Sequence, residues 1–512
     1  MTLDKASIEW AIEFLAAHSD GDLFPRLPEL EAVVEKRDEF SSLIVGTDMS
    51  QFSTGAARRF LVPKDEFSYR QATQLDPQDS ILLTAAVHQF GSGIEQRRLP
   101  SDIVFSYRFQ PDPVAGLYSG ESAWNKFWTK AYSLSRSCGA ILYCDIADFY
   151  NQIYHHTVEN QLIEAGFPNQ AKKWIIELLK STTAGVSRGV PVGPHAIHLI
   201  AEATLIPVDR SLQSLGLTFL RFADDILIFC ADNTQAKSAV GKLALILDKQ
   251  QRLTLQRHKT CVYTPASFQA HCSAMIEDRP ISADEEALVK LIRKYSSGNP
   301  YQAVRYSQIT ADDWNQISET AIRAIVTDYL SKDPVDYIRL RWFYRRLCQV
   351  GHPGALGVSL ENIERLGPCF ANLCQYFASI QTIDDNEWRS IGGHLLGLLN
   401  REEVRENEYF GLSVLSLFSK KPSLNHISTL LGQFSSAPAY ARREILFAAK
   451  ASGSFDWVRE HKESFFMMDP WQQRAMLFAF SGLARDEKRY FVDYCRLERP
   501  FDLILGRWCK TI

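Results

Sequence analysis

The sequence predicts an α+β domain followed by an all-α domain. Up to about residue 275, short β-branched runs alternate with helical stretches, as they do in α+β domains. From about Asp284 to the end, the periodic signals are helical. The chain has 512 residues, and single hydrophobic cores stop growing at ~250 to 300 residues. We therefore expect two domains, residues 1–280 and residues 281–512.

The composition is that of an ordinary globular protein, with 46% hydrophobic and 23% charged residues. A net charge of −4 argues against a broad nucleic-acid-binding surface, so any nucleic acid would have to be bound locally. The segment Met1 to Asp20 lacks the basic start and unbroken apolar core of a secretory signal. No stretch reaches the ~20 apolar residues of a membrane helix. We expect a cytoplasmic protein whose ten scattered cysteines are reduced thiols.

A pair of acidic residues interrupts two apolar runs between Leu217 and Cys230. The segment reads LTFLRFADDILIFC, which predicts a hairpin with Asp224 and Asp225 at its turn. Adjacent carboxylates between apolar strands repel each other and are partly desolvated, so a cation would stabilise them. Taken alone, an Asp-Asp pair in a hairpin turn is usually a feature of the turn itself. A catalytic interpretation therefore needs a further acid.

Asp145 supplies that acid, because it closes the apolar run AILYCD and precedes a helical stretch. If this strand lies beside the hairpin, Asp145 and Asp224 converge and can hold two Mg²⁺ ions ~3.5 to 4 Å apart. The backbone carbonyl of Ile146 would be a further oxygen ligand. One ion would lower the pKa of an attacking hydroxyl while the other stabilises a leaving pyrophosphate. The pattern predicts phosphoryl transfer.

These motifs resemble those of reverse transcriptases. The segment RFADD at Arg221–Asp225 resembles their YADD-type catalytic signature, and Asp145–Tyr150 resembles their DxxxFY motif. The segment GVPVGP at Gly189–Pro194 resembles the family's Pro-x-Gly loop, which enters a helix that packs under the nascent base pair. The resemblance extends over about residues 55 to 265 and implies a fingers and palm domain. It also implies that Asp145, Asp224 and Asp225 are catalytic.

Further motifs upstream and downstream follow the order of the family. Arg59–Lys64, followed by Tyr69 and Arg70, resembles the fingers hairpin, which implies that Lys64 and Arg70 bind the incoming triphosphate. The residues around Lys259 resemble the strand and catalytic lysine near the leaving pyrophosphate. Arg70 suits the binding of a triphosphate, because a guanidinium makes two-point contacts with phosphate. A solvated lysine in a polar stretch is the structural alternative for Lys259.

Three residues are implicated in nucleotide binding by their places in these motifs. Tyr150 occupies the position that stacks under the sugar and excludes a ribose 2′-hydroxyl, which implies a preference for dNTPs. Val192 and Gly193 lie in the loop beside the nucleotide. The alternative for Tyr150 is a plain core aromatic at a strand–helix junction. Templated reverse transcriptases usually carry Gln where this chain has Val192, and that departure puts templating in doubt.

The loop leading into Ala201-Glu202 and the long helical C-terminal region resemble the abortive-infection reverse transcriptases of bacterial phage defence, AbiK-like and prophage-encoded. This resemblance implies a HEAT-like C-terminal domain, a homo-oligomer and a bacterial cytoplasmic location. It also implies untemplated DNA synthesis that starts from a tyrosine hydroxyl of the protein, leaving single-stranded DNA covalently attached. Mg²⁺ would be the cofactor, with Mn²⁺ as a substitute. No tyrosine precedes Tyr69, and the sequence leaves the priming tyrosine unassigned.

The helical region has two periodic runs and one clear helix start. Apolar residues recur at spacings of three and four from Ile363 to Ile380 and from Trp388 to Leu398, which predicts two helices. Asp469-Pro470 has the form of an N-cap followed by proline in the first turn. Successive helices with short turns are typical of stacked helical hairpins.

Two other functions stay open from the sequence. One is a templated reverse transcriptase that copies a cellular or encoded RNA. The other is an inactive scaffold, in which the helices bind a partner and the polymerase fold has lost its chemistry. The presence of Asp145, Asp224, Lys64 and Arg70 argues against the scaffold.

Overall fold

A computed structural model describes residues 2–21, 23–112, 116–119, 122–275, 282–296, 304–315 and 317–512. The chain forms two compact units. The first comprises Met1–Arg59 and Thr73–Glu277, and the second comprises Phe60–Ala72 and Asp278–Ile512. The predicted domain boundary at residues 280 and 281 lies outside the described residues. Strands and helices mix in the first unit, which is compatible with the predicted α+β class.

Eight strands occur in the described residues. They are β1 (Arg58–Pro63), β2 (Tyr69–Gln74), β3 (Phe109–Asp112), β4 (Gly116–Tyr118), β5 (Ala140–Asp145), β6 (Thr218–Phe222), β7 (Asp225–Cys230) and β8 (Cys261–Tyr263). The central sheet has the order β6-β7-β5-β8, and each neighbouring pair is antiparallel. The pairs β1–β2 and β3–β4 form two separate two-stranded sheets. The hairpin predicted around Asp224 and Asp225 is therefore present as β6–β7.

The first unit contains twelve α-helices among its described residues. They are α1 (Lys5–His18), α2 (Leu30–Glu35), α3 (Arg37–Ile44), α4 (Pro77–Phe90), α5 (Ser92–Glu95), α6 (Ala123–Leu134), α7 (Phe149–Gln152), α8 (His155–Glu164), α9 (Asn169–Thr182), α10 (His195–Ser214), α11 (Asn233–Gln251) and α12 (Pro265–Met275).

Helices cover both faces of the central sheet. On one face, Leu227 and Phe229 of β7 pack with Phe127 and Trp128 of α6 and Phe268 of α12. The alternate residues of β7 are also buried, and α11 packs against β5 and β7. A strand buried on both faces reads as a continuous apolar run, which is why the sequence around β7 has no polar alternation. The middle strands β5 and β7 are thus a buried support for the residues at their ends.

Helix α10 is the buried helix of the first unit. It begins directly after Pro194, which cannot donate a backbone hydrogen bond but suits the residue before a helix. Most of its side chains are buried, and they include the charged residues Glu202 and Asp209. Buried carboxylates are costly unless they are paired, so this helix must meet cationic partners.

The second unit is helical apart from the tip of the β1–β2 hairpin, in the part of the chain that the structure describes. Its α-helices are α13 (Ala283–Tyr295), α14 (Ala311–Trp314), α15 (Glu319–Ser331), α16 (Tyr337–Val350), α17 (Leu356–Glu361), α18 (Phe370–Ser379), α19 (Asp385–Leu399), α20 (Glu402–Glu406), α21 (Glu408–Lys420), α22 (Ile427–Gln433), α23 (Ala439–Ala451), α24 (Phe455–Glu460), α25 (Pro470–Phe480), α26 (Arg485–Tyr494) and α27 (Pro500–Thr511).

Alternate long helices of this unit pack in succession: α16 on α18, α18 on α21, α21 on α23, α23 on α25, and α25 on α27. Such nearest-neighbour packing suits a stacked helical array, and the HEAT-like assignment stays a prediction. No helix among the described residues is both long and apolar enough to cross a bilayer.

Two details of the helical predictions can be compared with the structure. Helix α25 begins at Pro470, and the Asp469 side chain caps it by accepting from two backbone amides, as predicted. The prediction of one helix from Ile363 to Ile380 is wrong, because α18 begins only at Phe370. A short 3-10 turn contains Pro368, whose missing N–H and fixed ring interrupt an α-helix.

Candidate active site

Three aspartates meet at one end of the central sheet. Asp145 ends β5 and lies directly opposite Asp225, the first residue of β7. Asp224 occupies the turn between β6 and β7, and its backbone carbonyl accepts a hydrogen bond from the Ile146 amide at 3.2 Å. The backbone of Asp145 also accepts from the Gln256 amide at 2.7 Å. Antiparallel pairing thus brings together acids that lie about 80 residues apart in the sequence.

Two side chains bond directly to these carboxylates. Lys259 Nζ donates to Asp145 Oδ2 at 2.5 Å, and the Tyr143 hydroxyl donates to Asp225 Oδ1 at 2.8 Å. Burial lowers the pKa of Lys259, but the hydrogen bond and negative charge of Asp145 outweigh it, so this pKa is raised. Burial and the charge of Asp225 raise the pKa of Tyr143. Lys259 is therefore a cation and Tyr143 a neutral donor at neutral pH.

The carboxylates carry more negative charge than their protein neighbours compensate. Burial, followed by the charge of Asp224, raises the pKa of Asp225 to about 7. No group of three or more His, Cys, Asp and Glu in the described part of the chain is arranged as a ready-made metal site. The donor chemistry nevertheless fits a hard divalent cation, since carboxylate oxygens are the ligands that Mg²⁺ takes. A cation here would relieve the repulsion that holds the pKa of Asp225 high.

A buried ionic network lies behind the β6–β7 turn. Arg221 of β6 is fully buried and bonds to Asp209 through Nε and Nη2, each at 2.7 Å. Its Nη1 and Nη2 reach the Glu202 carboxylate at 3.2 and 3.0 Å. Glu202 also accepts from Arg98 Nη2 at 2.8 Å and from the Ser106 hydroxyl at 2.6 Å. Two cations and two anions therefore balance in the interior, as buried charges require.

This network fixes the backbone that carries Asp224. Arg221 Nη1 donates to the Ala223 carbonyl at 2.9 Å, and the Ala223 amide donates to Ser106 Oγ at 2.9 Å. Ala223 has a φ of 51°, a left-handed conformation that costs energy for any residue with a Cβ. Two hydrogen bonds on this residue hold it there. The strained residue, Ala223, therefore lies immediately before Asp224, and its conformation determines the position of Asp224.

Tyr150 is held from the side of α10. Its hydroxyl bonds to His198 Nδ1 at 2.7 Å. The His198 ring stacks on Tyr107, with ring centroids 4.2 Å apart and planes 5° from parallel. Tyr107 has a φ of 45°, and its carbonyl accepts from Arg98 Nη1 at 2.9 Å. Arg98 thus supports both the β6–β7 turn, through Glu202, and the surroundings of Tyr150.

The loop that contains Val192 and Gly193 is tied to neighbours on both sides. The Val190 amide donates to the Tyr150 carbonyl at 2.9 Å, and the Val192 carbonyl accepts from the Thr73 amide at 2.8 Å. Gly193 has a φ of 132°, which favours glycine. A Cβ on Gly21 would lie 2.3 Å from the Gly193 carbonyl oxygen, so two backbones meet there without side chains. The loop is therefore adjacent to Tyr150.

Lys64 and Arg70 belong to the second unit, with the helices. There, the Tyr337 hydroxyl of α16 donates to Glu66 Oε1 at 2.9 Å, and the Arg341 guanidinium donates to the Lys64 carbonyl. The hairpin tip is thus fastened to α16. A role of Lys64 and Arg70 toward a nucleotide stays a prediction, because the acids lie in the first unit.

Sequence reasoning missed the residues that support the site. Glu202 and Asp209 carried a usable signal, since two acids on an otherwise apolar helix require buried cations. His198 and Tyr143 carried none, because a single histidine on a helix and a single tyrosine in a strand are ordinary core residues. Their partners become evident only when distant segments are brought together.

The arrangement of the strands and acids is compatible with a nucleotidyltransferase of the polymerase type. Residues 95–310 match the family model for reverse transcriptase (RNA-dependent DNA polymerase), and the chain therefore carries a reverse-transcriptase domain. The matched residues include the three aspartates, Tyr150 and Lys259; Lys64 and Arg70 precede them. No curated protein matches the chain.

Proposed function

We propose that this protein is a reverse-transcriptase-type DNA polymerase that works without a template, starts from a tyrosine hydroxyl of its own, and acts in abortive-infection defence against phage. One observation supports the polymerase chemistry. Asp145 pairs with Asp225 at the end of the central sheet, and the backbone carbonyl of Asp224 accepts a hydrogen bond from the amide of Ile146. The family match over residues 95–310 supports the same chemistry.

In this proposal Asp145, Asp224 and the carbonyl of Ile146 hold two Mg²⁺ ions, for which Mn²⁺ can substitute. The ions would activate the attacking hydroxyl and stabilise the pyrophosphate. Asp225, hydrogen-bonded to Tyr143, keeps a second negative charge beside Asp224. Lys259 compensates Asp145 and is a cation available to the leaving pyrophosphate.

The nucleotide would lie on Tyr150, Val192 and Gly193, with Lys64 and Arg70 on the triphosphate. The direct bonding of the Val190 amide to Tyr150 supports a shared pocket for the loop and the tyrosine. An aromatic ring against the sugar disfavours a 2′-hydroxyl by steric exclusion, which selects dNTPs. Lys64 and Arg70 would contribute positive charge to the triphosphate and would help to orient its α-phosphate toward the attacking hydroxyl.

Untemplated synthesis is supported by Val192 and by the helical second unit. Valine offers no hydrogen bond where templated relatives use a glutamine, so it cannot position a template base through that contact. A phenol with a pKa near 10 becomes a competent nucleophile only beside a metal or a base, so the priming tyrosine would have to enter the site of Asp145 and Asp224. The product would be single-stranded DNA covalently attached to the protein, in the bacterial cytoplasm.

The test is incubation of the purified protein with Mg²⁺ and labelled dNTPs, without nucleic acid, followed by a denaturing gel. A labelled protein band that survives boiling and disappears with nuclease is the expected result. The matched control is Asp224→Asn, which keeps the size of the side chain and removes a metal ligand. Labelling that persists in this variant contradicts the proposed site.

A templated reverse transcriptase is the second candidate, because the matched family model describes RNA-dependent DNA polymerases. Added RNA template and DNA primer separate the two. Synthesis that requires both, with a product complementary to the RNA, selects the templated enzyme.

Defence and assembly need separate measurements. Phage plaque counts on bacteria that express the parent or Asp224→Asn test the defence role, and only the parent should reduce them. A scaffold without chemistry would protect equally in both forms. Light scattering of the protein as it elutes from a size-exclusion column gives its molar mass, which tests whether it is a homo-oligomer.

A further inference from the structure

The hydroxyl of Tyr150 bonds to His198, and Tyr107 is a second hydrogen-bonding neighbour of the same side chain. Tyr150 lies on α7, and His198 lies on α10, 48 positions further along the chain. Their separation of 2.7 Å between the hydroxyl oxygen and Nδ1 is that of a strong hydrogen bond. Tyr150 also makes an edge contact with the His198 ring, with centroids 5.6 Å apart.

The protonation of the pair follows from its surroundings. Burial raises the pKa of the Tyr150 phenol, so the hydroxyl keeps its proton. Burial lowers the pKa of His198 to about 3, so the imidazole is neutral. In the tautomer that leaves Nδ1 unprotonated, this nitrogen accepts a hydrogen bond from the Tyr150 hydroxyl.

His198 is itself immobilised. Tyr107 stacks flat on its ring, and Tyr107 in turn is held through its carbonyl by Arg98, whose guanidinium is almost fully buried. The backbone of His198 is held within α10. Nδ1 is thus a rigid acceptor, and rotation of the Tyr150 ring away from it would break the hydrogen bond.

We propose that His198 is a specificity-determining positioning residue: by fixing the Tyr150 hydroxyl, it makes the ring a rigid wall against a ribose 2′-hydroxyl. The inference rests on the proposed function, in which Tyr150 contacts the sugar. Steric exclusion requires that the Tyr150 ring stays in place. A ring whose hydroxyl has no hydrogen bond can move by the few tenths of an ångström that accommodate the 2′-oxygen. His198 contributes the anchor without contacting the nucleotide.

The experiment measures kcat/KM for a dNTP and for the matching rNTP in the parent, in five single variants that include Tyr150→Ala, and in the double variant His198→Phe, Tyr150→Phe. His198→Phe keeps a flat ring against Tyr107 and removes the acceptor, whereas His198→Asn retains an acceptor oxygen close to the position of Nδ1. Tyr150→Phe removes the donor from the other side. Tyr118→Phe is the matched control, because its hydroxyl bonds to the backbone of α10 at His195 and Leu199 and not to Tyr150.

We expect the preference for dNTP over rNTP to fall about tenfold in His198→Phe, which corresponds to ~1.4 kcal/mol. The dNTP turnover should stay close to that of the parent. Tyr150→Phe should show the same fall, the double variant should show no further fall, and His198→Asn should restore most of the preference. Tyr118→Phe should keep the parent's ratio even if it lowers thermal stability.

Two results overturn the inference. One is an unchanged ratio in His198→Phe when Tyr150→Ala abolishes discrimination, since His198 would then be structural only. The other is an equal loss in Tyr118→Phe, because any disturbance of α10 would then produce the effect. A parent that uses both sugars equally refutes instead the deoxynucleotide preference in the proposed function.

Discussion

Arg221 and Asp209 form a two-point ion pair in the interior of the first unit, with both nitrogen–oxygen distances at 2.7 Å. Burial raises the pKa of Asp209 even though Arg221 opposes that shift. A buried pair of this kind contributes little net stability, because desolvation of both charges offsets their attraction. Its value lies in geometry, since the same guanidinium holds the carbonyl of Ala223 beside Asp224.

The first prediction concerns the removal of one partner. Asp209→Ala leaves the buried Arg221 with Glu202 alone, and we expect a loss of ~3 to 5 kcal/mol in the free energy of unfolding. Urea denaturation of the parent and the variant measures it. Asp248→Ala is the control, because the Arg252–Asp248 pair is exposed and 3.9 Å apart, and it should cost below ~0.5 kcal/mol. Equal effects of the two variants would show that the network contributes no stability.

The second prediction separates stability from activity at the acids. Burial and the negative charge of Asp224 raise the pKa of Asp225 to about 7, so the ionised form is destabilising in the metal-free protein. Asp225→Asn removes that charge and keeps an acceptor oxygen for Tyr143. We expect a gain on the order of 1 kcal/mol in EDTA at about pH 8, together with loss of nucleotide incorporation. Thermal unfolding with and without Mg²⁺ checks it, and a less stable variant in EDTA contradicts it.

The strands and the hairpin that contain the acids could be predicted from the sequence, because the causes of these elements are local. The apolar runs around Asp145 and Asp224 specify strands, and the turn residues between β6 and β7 specify a hairpin. The pairing of β5 with β7 then follows from the family resemblance.

The buried support of the site could not be predicted. The partners of Arg221 lie on α10, and the sequence around an arginine in a strand does not indicate which acid it will pair with. Pro368 indicates the break before Phe370 in the sequence, whereas apolar spacing alone does not indicate it. The grouping of residues 60–72 with the helical unit depends on tertiary contacts of α16, and no local pattern reports those.

The third prediction concerns the fastening of the hairpin tip to α16. The double variant Tyr337→Phe, Arg341→Gln removes the donors to Glu66 and to the Lys64 carbonyl. If Lys64 binds the triphosphate, greater mobility of the hairpin in this variant should weaken that binding. We expect the KM for dNTP to rise about threefold to tenfold, which is the range expected for lost hydrogen bonds. The effect on kcat should be smaller. Steady-state kinetics measures both constants.

Tyr344→Phe is the matched control for that variant. It removes a buried hydroxyl from the same helix, where it bonds to Ser359 at 2.7 Å and not to the hairpin. Its KM should equal that of the parent. A similar rise in both variants would mean that any loosening of α16 has the effect, and the hairpin contacts would then have no particular role in nucleotide binding.

The last prediction concerns the pH dependence of stability, through Asp20. Its Oδ2 accepts from the Ser80 hydroxyl, and its buried Oδ1 has no hydrogen-bond partner in the described part of the chain. Burial raises its pKa from 3.8 to about 7. The folded protein therefore binds more protons here than the unfolded chain between these values, so this group's contribution to stability is full below about pH 4 and is lost as the pH rises to about 7. Asp20→Asn cannot ionise and should remove that decrease. Urea unfolding at several pH values from about 4 to 8 gives the difference between the two proteins, and a difference that does not change with pH would show that Asp20 is ionised throughout.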